Sequence, residues 1–245
     1  FTRAELEKLA AVARRFRVVV LSDELYGELH HDGAHEWIGT LYAEGTIVSG
    51  GLSKWCGAGG WLLGTFMFPK SLTWLLDAMA AVASETYTST SAPIQYAAVT
   101  AFRGGDDVQA YLRDCRRILR SLGRWCQTRM ESAGMRVLAP EGGFYLFPDL
   151  SPLAESLAAR GVRDSEKLCL ELLDKAGIAI LPGSCFGRPK EELTVRLAYV
   201  NFDGEAALGA LSGMGTDAEV DESFLRAHTG GVLDAIDRLC DWAVG

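Results

Sequence analysis

Three side chains that could do acid, base and nucleophilic chemistry follow two neighbouring β-branched runs of the sequence. Asp23 and Tyr26 come directly after VVVL at 18–21, and Lys54 lies in SGGLSKWCGAGGWLLG at 49–64, just past the second run, GTIVSG. No carboxylate lies near Lys54 within this glycine-rich stretch. Because ligands of α/β proteins bind at the carboxyl ends of the strands, we expect the three side chains to converge on one pocket.

A lysine, a carboxylate and a phenol in one pocket suit pyridoxal 5′-phosphate (PLP) as a cofactor. The amine of Lys54 would form a Schiff base with the aldehyde, and the carboxylate of Asp23 would keep the pyridine nitrogen protonated. The phenol of Tyr26 would lie near the ring hydroxyl and tune the imine. Each residue alone has a simpler explanation, since an aspartate after a strand is often a helix cap and a lysine in a glycine loop is usually solvated.

Helix and strand patterns alternate in the first half of the chain. Apolar residues at helical spacing predict a helix over 2–16, whose capping box is formed by Thr2 and Glu5. The run VVVL that follows is typical of a strand buried on both faces. Strands are expected at 18–21, 45–50 and 62–69, and helices over 71–103 with an interruption at 84–93 that contains Pro93.

The second half has a different rhythm. A long helix over 108–132 leads into short strands and helices, which are typical of an α+β domain. We place the boundary on that helix and expect an α/β domain at 1–115 and a smaller domain at 116–245. The strands are expected at 134–140, 144–148, 178–182 and 194–200, and the helices at 164–175 and 203–242, the last with a break at 213–215.

The composition is that of an ordinary globular protein, with 245 residues, 49% hydrophobic and 23% charged, and a net charge of −8. The sequence has no basic stripe, so it does not predict binding to nucleic acid or to anionic membranes. It also has no apolar run that is long enough for a transmembrane helix. The six cysteines have no metal-ligand spacing, so we expect mostly buried, reduced thiols, no metal site and a cytoplasmic protein. His30, His31 and His35 are expected on the surface of a polar loop.

Taken together, the motifs resemble the fold-type-I PLP-dependent enzymes, and among them the class I/II aminotransferases. The resemblance covers essentially the whole chain. It implies that 1–115 is part of the large PLP-binding domain, with a mostly parallel sheet and helices, and that 116–245 is the C-terminal small domain. The motifs are SDELY at 22–26, GLSK at 51–54, GW at 60–61, TSTSAPIQYAA at 88–98, EGGFYLF at 141–147, LPGSCFG at 181–187 and TVRLAYV at 194–200.

The resemblance implies roles for five residues. Lys54 would hold the cofactor covalently and later carry a proton between the substrate Cα and C4′ of the cofactor. Asp23 would pair with the pyridinium nitrogen, Tyr26 would hydrogen-bond the ring oxygen, and Ser53 would contact the phosphate. Arg196 would bind the α-carboxylate of the substrate, for which a planar guanidinium is well shaped.

The resemblance also places Gly143 and Tyr145 in the wall of the pocket. For Arg196 an alternative stays open, because an arginine in a strand usually pairs with a surface acid. Glu191 and Glu192 are the nearest acids in sequence. An ion pair with either one would give Arg196 a structural role.

The sequence departs from the family where the phosphate is bound. The family carries an arginine eight residues after the Schiff-base lysine, and Leu62 occupies that position here. The loss of this charge-assisted contact would cost roughly 2–4 kcal/mol of cofactor affinity. Gly51 also stands where many members carry a serine that contacts the phosphate, although other members have glycine.

The N-terminal half of the family has no counterpart in this sequence. That half supplies a glycine-rich phosphate loop, an aromatic ring that stacks on the pyridine and an Asn-Pro-x-Gly element. We therefore expect the C-terminal portion of a longer protein, with an unpaired sheet edge and an uncovered apolar face.

The resemblance implies an aminotransferase that moves an amino group between an amino acid and a 2-oxo acid, and a homodimer in the full-length protein. Two alternatives stay open. A PLP-dependent lyase, decarboxylase or synthase would use the same residues, because the outcome depends on which Cα bond lies perpendicular to the ring. A degenerate, non-catalytic module would account for Leu62 and for the missing half.

Overall fold

The computed structural model describes residues 1–215 and 218–245, which divide into two compact units, Phe1–Arg113 and Asp114–Gly245. The chain is mixed α/β, with more helix than strand and a small three-stranded sheet in each unit. The division between the units falls within one long helix, Asp106–Ser132.

The first unit has a three-stranded sheet in the order β1-β2-β3, in which β1 and β2 are parallel and β2 and β3 antiparallel. The parallel register pairs Val20 with Thr46 and Asp23 with Ser49, so the two strands run side by side to the edge that carries Asp23. The elements in chain order are α1 (Arg3–Phe16), β1 (Val20–Asp23), β2 (Thr46–Gly51), β3 (Gly64–Met67), α2 (Thr73–Thr86), α3 (Ala92–Arg103) and the start of α4 (Asp106–Ser132).

Helix α1 begins with the predicted capping box. The Thr2 side chain accepts from the backbone N–H of Glu5, and the Glu5 carboxylate accepts from the backbone N–H of Thr2 at 2.7 Å. One face of α1 packs on the loop that precedes β2 and on Val20 of β1. The buried residues of this cluster are Leu6, Ala10, Ala13, Ile38 and Tyr42. The packing fixes the direction in which the chain enters β1.

The prediction for the first strand was wrong in position and in burial. β1 begins at Val20, and the side chains of Val18, Val19 and Leu21 are exposed, Leu21 to 61%. Burial alternates along β1 because α1 covers only one of its faces. Within the described chain no element covers the other face, so β1 is a half-buried strand.

Strand β2 is buried over its first three residues and ends in Gly50 and Gly51. The prediction of a buried strand here is confirmed, with a shift of one residue. Strand β3 is shorter than predicted, since only Gly64–Met67 pairs with β2, and Phe66 and Met67 are exposed.

Helices α2 and α3 confirm the helical pattern and its interruption, and Pro93 lies in the first turn of α3 as predicted. No residue of α2 is buried, although the helix is rich in apolar side chains. Trp74 is 66% exposed and Tyr96 of α3 is 79% exposed. The two helices therefore present a large apolar surface in the described chain.

The second unit has a three-stranded antiparallel sheet in the order β4-β6-β5. Tyr145 of β4 pairs with Ala198, and Leu181 of β5 pairs with Arg196, so β6 lies in the centre. The elements in chain order are the remainder of α4, β4 (Tyr145–Leu146), α5 (Ala154–Ala159), α6 (Ser165–Glu171), β5 (Leu181–Pro182), β6 (Val195–Ala198), α7 (Gly204–Met214) and α8 (Glu222–Val244).

Several predicted boundaries in this unit were wrong. The segment 134–140 is not a strand, because it makes only one isolated bridge, between Arg136 and Asp149. The sequence pattern also missed the short helix α5. The break predicted at 213–215 in the helical stretch 203–242 is confirmed, because α7 ends at Met214, Gly215 follows with φ 89° and α8 begins at Glu222; Thr216 and Asp217 lie outside the described residues.

The long helices α4 and α8 pack against each other in the second unit. Arg129 of α4 donates to Asp237 at 2.6 Å and to Asp241 at 3.1 Å, both on α8. Buried apolar side chains of both helices, among them Leu122 and Leu233, contribute to the core of the unit. None of the described helices has an apolar stretch of the length that a bilayer span requires.

Candidate active site

Asp23 stands at the end of β1, where the adjacent parallel strand β2 also approaches its carboxyl end. Its Oδ1 accepts a hydrogen bond from Ser49 Oγ at 3.0 Å and from the backbone N–H of Leu25 at 3.3 Å. The side chain is otherwise exposed. These two donors fix the orientation of the carboxylate, while its remaining oxygen can face a ligand.

The loop after Asp23 is tied back to the sheet by Glu24. The Glu24 backbone N–H donates to the carbonyl of Ser49 at 2.9 Å, and its carboxylate accepts from Ser22 Oγ at 2.6 Å. The same carboxylate lies 2.5 Å from Nε2 of His35. Tyr26 follows two residues later and begins a short 3₁₀ turn, Gly27–Leu29, which is anchored by the buried Leu29. The loop is therefore held at both ends.

Lys54 lies in a tight turn just past β2. Leu52 and Trp55 on either side of it are buried, and the Lys54 carbonyl accepts from the N–H of Gly57 at 3.2 Å. Gly57 has φ 65°, a conformation that glycine adopts without strain. Lys54 is partly buried, and its amine lies 5.7 Å from the centre of the Tyr26 ring. The structure thus brings the amine of the loop after β2 close to the Tyr26 ring, which belongs to the loop that Asp23 begins.

Gly51 has no room for a side chain. A Cβ at this position would lie 2.7 Å from the backbone carbonyl oxygen of Leu63, because β2 and β3 approach closely here. The serine that many family members carry here would require a backbone shift. Glycine at this position is therefore explained by packing.

Ser53 and Leu62 lie in the same glycine-rich loop. Ser53 is partly buried in the turn directly before Lys54. Leu62 ends the turn Gly59–Trp61 in a left-handed conformation, with φ 53°, and its side chain is 75% exposed. Its carbonyl accepts from Thr90 Oγ1 at 3.3 Å. The side chain of Leu62 has neither a hydrogen-bond donor nor a charge.

Arg196 lies in the second unit, on the central strand β6. Its guanidinium carbon is 4.4 Å from the centre of the Phe186 ring and 4.7 Å from that of Tyr145. Glu192 pairs with Arg188 at 2.6 Å instead, and among the described residues no carboxylate lies within 4.0 Å of Arg196. The structural alternative, an ion pair with Glu191 or Glu192, does not occur.

The loop that leads into β4 is fixed by a buried tyrosine. The Tyr199 hydroxyl donates to the carbonyl of Gly143 at 3.2 Å, and burial raises the pKa of Tyr199. Gly143 has φ 63°, which favours glycine at this turn. Because Tyr145 follows two residues later, this hydrogen bond helps to set its position on β4.

Two contributors to these sites were not singled out from the sequence. Phe186 was part of the motif LPGSCFG but received no role, and Glu24 was part of SDELY. One histidine expectation was also wrong, because His31 is buried. The contact between Phe186 and Arg196 depends on the pairing of strands, which the local sequence does not show. The order of the motifs was the one signal in the sequence that could have indicated a role for Phe186.

Comparison with known proteins places these features in a family. The family described as Aminotransferase class I and II matches residues 1–204. The aspartate aminotransferase of Geobacillus stearothermophilus is 32% identical over 203 residues, which are 81% of this chain and 49% of that protein. The asparagine–oxo-acid transaminase of Streptococcus mutans is 29% identical over 203 residues, with the same two shares.

Solved structures share the fold. The aromatic aminotransferase from Pyrococcus horikoshii superposes with a TM-score of 0.76 at 24% identity, covering 99% of this chain and 55% of that one. The Thermus thermophilus aspartate aminotransferase with maleate gives a TM-score of 0.75 at 24% identity, covering 98% of this chain and 52% of the other. The chain spans about half the length of the curated relatives it matches, 49% in each of the two described above.

Proposed function

The chain belongs to the family of class I and II aminotransferases, and on that premise we propose that it is part of a PLP-dependent enzyme that transfers an amino group from an amino acid to a 2-oxo acid. The observation that carries the proposal is the position of the Lys54 amine, 5.7 Å from the centre of the Tyr26 ring on the loop begun by Asp23.

The chemistry of this donor set fits the cofactor. PLP requires an amine, a carboxylate and a hydrogen-bond donor to the ring oxygen, and Lys54, Asp23 and Tyr26 supply these three groups at one edge of the sheet. Asp23 has one oxygen occupied by Ser49 and Leu25 and a second available for the pyridine nitrogen. When bound, PLP supplies a carbonyl that condenses with amines and a ring that accepts electrons.

Lys54 is the residue that would hold the cofactor and then move a proton at the substrate Cα. A turn with buried flanking side chains, Leu52 and Trp55, restricts where the amine can go. The Tyr26 ring lies within cation–π range of the amine and further limits its position. Positioning of this kind favours proton transfer at one fixed atom.

Asp23 and Tyr26 would act at two different positions of the pyridine ring, the nitrogen and the ring oxygen. The Asp23 carboxylate would hold a proton on the ring nitrogen, where its negative charge offsets the positive charge. Tyr26 would donate to the ring oxygen. Ser49 holds the Asp23 carboxylate, and the Glu24 backbone ties the loop between Asp23 and Tyr26 to β2.

The phosphate end of the site would be held by fewer groups than the ring end. Ser53 would donate to the phosphate, but Leu62 offers neither charge nor donor. An exposed leucine at this position supports the second candidate function, a non-catalytic module that has lost its cofactor. We rank the aminotransferase first because all three groups at the ring end are present.

Arg196 would bind the substrate α-carboxylate. A guanidinium presents five N–H donors in one plane, and two of them match the oxygens of a carboxylate. Arg196 is partly buried and meets two rings but, among the described residues, no acid. A partly buried guanidinium without an acidic partner is suited to bind an anionic ligand.

A homodimer is the proposed assembly. The exposed apolar side chains of α2 and α3, among them Trp74, Val82 and Tyr96, support this proposal, because contiguous exposed apolar surface is typical of interaction sites. Sedimentation of the intact protein tests this proposal. A mass twice that of one chain at low micromolar concentration is expected, and a monomer would contradict it.

The reaction itself is tested by a half-reaction. The intact protein loaded with PLP and given aspartate or an aromatic amino acid should release the 2-oxo acid and leave the aminated cofactor, whereas Lys54→Ala should not. Release of carbon dioxide or ammonia without the aminated cofactor would favour a decarboxylase or lyase. No PLP binding at high micromolar concentration would favour the non-catalytic module.

A further inference from the structure

Arg196 is stacked by two aromatic rings that come from opposite sides of its strand. Tyr145 lies on β4, and its ring centre is 4.7 Å from the guanidinium carbon. Phe186 ends the 3₁₀ turn Gly183–Phe186 that directly follows β5, and its ring centre is 4.4 Å away. Strand β6, which carries Arg196, pairs with both β4 and β5. The sheet therefore brings the two rings to one cation.

The strand register explains why these side chains meet. Tyr145 is paired with Ala198, so Arg196 is its diagonal neighbour on the same face of the sheet. Leu181 is paired with Arg196, and the turn after it returns the chain to place Phe186 near the same guanidinium. The contact of Tyr145 thus depends on strand pairing, and that of Phe186 on the 3₁₀ turn that follows β5.

A second layer of rings supports the first. Phe147 meets Phe186 edge to face, with ring centres 5.9 Å apart and planes at 85°, and Phe144 lies 4.8 Å from Tyr145. Such pairs restrict ring motion beyond what simple burial achieves. The rings on Arg196 are therefore themselves held in place.

Stacking leaves the hydrogen-bonding edge of a guanidinium open. The five N–H groups of arginine lie in the plane of the group, whereas aromatic rings contact its face. No carboxylate among the described residues occupies that edge of Arg196. A preorganised arginine loses less freedom on binding a carboxylate than one that must first be ordered.

We propose that Tyr145 and Phe186 are positioning residues, which hold Arg196 between their rings so that its in-plane donors face a carboxylate. This inference rests on the proposed function, in which Arg196 binds the α-carboxylate of the substrate. Neither ring needs to touch the substrate for this role. Phe147 acts one step further out, through Phe186.

The experiment uses the intact protein labelled with ¹⁵N-arginine, and propionate as a plain carboxylate probe. Nuclear magnetic resonance follows the Nε–Hε signal of Arg196, assigned by its loss in Arg196→Lys, and gives a dissociation constant for propionate. In Phe186→Leu the signal should lose the part of its ring-current shift that Phe186 causes, and the dissociation constant should rise about 5-fold. The double variant Tyr145→Leu/Phe186→Leu should raise it at least about 10-fold.

Variants that keep the rings serve as conservative controls. Phe186→Tyr and Tyr145→Phe should stay within about 2-fold of the parent, because ring stacking and not a hydroxyl is responsible. Trp242→Leu is a matched control elsewhere in the second unit, since Trp242 stacks on Arg160 at 4.7 Å. It should leave propionate binding and the Arg196 signal unchanged.

Two results would overturn the inference. One is an Arg196 signal and a propionate dissociation constant that Phe186→Leu and Tyr145→Leu leave unchanged in folded protein. The other is an equal loss of binding in Trp242→Leu, which would mean a general loss of structure. If one leucine variant does not fold, the other still decides the question.

Kinetics separate this inference from the proposed function. If the protein transfers amino groups, Phe186→Leu should raise KM for the amino acid and change kcat little, because the carboxylate is bound in both ground and transition states. If it does not transfer amino groups, the proposed function fails. The propionate titration still tests the stacking of Arg196 in that case.

Discussion

The Lys54 amine lies 5.7 Å from the centre of the Tyr26 ring, although the two residues belong to different loops. The parallel pairing of β1 and β2 causes this meeting, because both loops leave the sheet at the same edge. Asp23, the last residue of β1, is joined to β2 through Ser49 at 3.0 Å. The amine, the phenol and the acid are thus placed by one pair of strands.

Tyr26 is expected to act both through its hydroxyl and through its ring. Tyr26→Phe keeps the ring near Lys54 and removes one hydrogen bond, so PLP should bind about 5–10-fold more weakly. Tyr26→Leu also removes the ring and should weaken binding a few-fold further. Quenching of intrinsic fluorescence by added PLP measures both. Equal affinities of Tyr26→Phe and the parent would exclude a hydroxyl contact.

Asp23 is expected to act through its charge. Asp23→Asn preserves an oxygen for Ser49 and Leu25 but removes the negative charge, so amino-group transfer should fall by roughly 10–100-fold, the value of a hydrogen bond to a charged group. Ser49→Ala, which only loosens the carboxylate, should lower the rate by about 3-fold. Steady-state rates measure both. A rate for Asp23→Asn equal to the parent's would refute the role of this carboxylate.

Leu62 is expected to limit cofactor affinity. Leu62→Arg would add a donor and a charge for the phosphate, and PLP should bind at least about 10-fold more tightly. Leu62→Met is the matched control, because methionine is a long side chain that lacks the charge and the donors of arginine. This variant should bind PLP like the parent. Titration with PLP distinguishes them. No gain with arginine would mean that the loop does not face the phosphate.

Gly51 is expected to be required by packing. Gly51→Ser would place a Cβ 2.7 Å from the Leu63 carbonyl oxygen and should lower the free energy of unfolding by about 1–3 kcal/mol. Gly60→Ser, in the same loop, meets no atom within 4 Å and should change it by less than about 0.5 kcal/mol. Urea denaturation of the intact protein provides the values. Similar effects of the two changes would contradict the close approach of β2 and β3.

The cysteines are expected to differ in reactivity with pH. All six are free in the structure; burial raises the pKa of Cys126 to about 12 and that of Cys240 to about 11, whereas Cys185 is exposed. A raised pKa leaves the thiol neutral, so at pH 8 the two buried cysteines have almost no reactive thiolate. Iodoacetamide labelling followed by mass spectrometry should modify Cys185 first. Early labelling of Cys126 would show that the core opens.

The proximity of the Lys54 amine to the Tyr26 ring could be predicted from the sequence, because both residues follow strands closely. Asp23, Tyr26 and Lys54 each lie within a few residues of a strand end, and the parallel arrangement determines the rest. The second unit was harder. Phe186 and Arg196 are ten residues apart, and their contact depends on the pairing of Leu181 with Arg196, which periodicity does not encode.

Burial was harder to predict than position. VVVL at 18–21 has the composition of a strand covered on both faces, yet Val18, Val19 and Leu21 are exposed in the described chain. A strand face becomes buried only when another element packs on it, and the local sequence does not show which element does so. His31 shows the reverse case, a polar residue in a polar loop that is nevertheless buried.

The most direct test of the account is covalent trapping on Lys54. Intact protein is mixed with PLP, reduced with borohydride and digested, and the peptide that carries the added mass is identified. We predict one modified site, Lys54, with loss of the adduct in Lys54→Ala and persistence in Lys70→Ala, a control lysine that lies outside the site. An adduct spread over surface lysines, or no adduct at Lys54, would contradict the account.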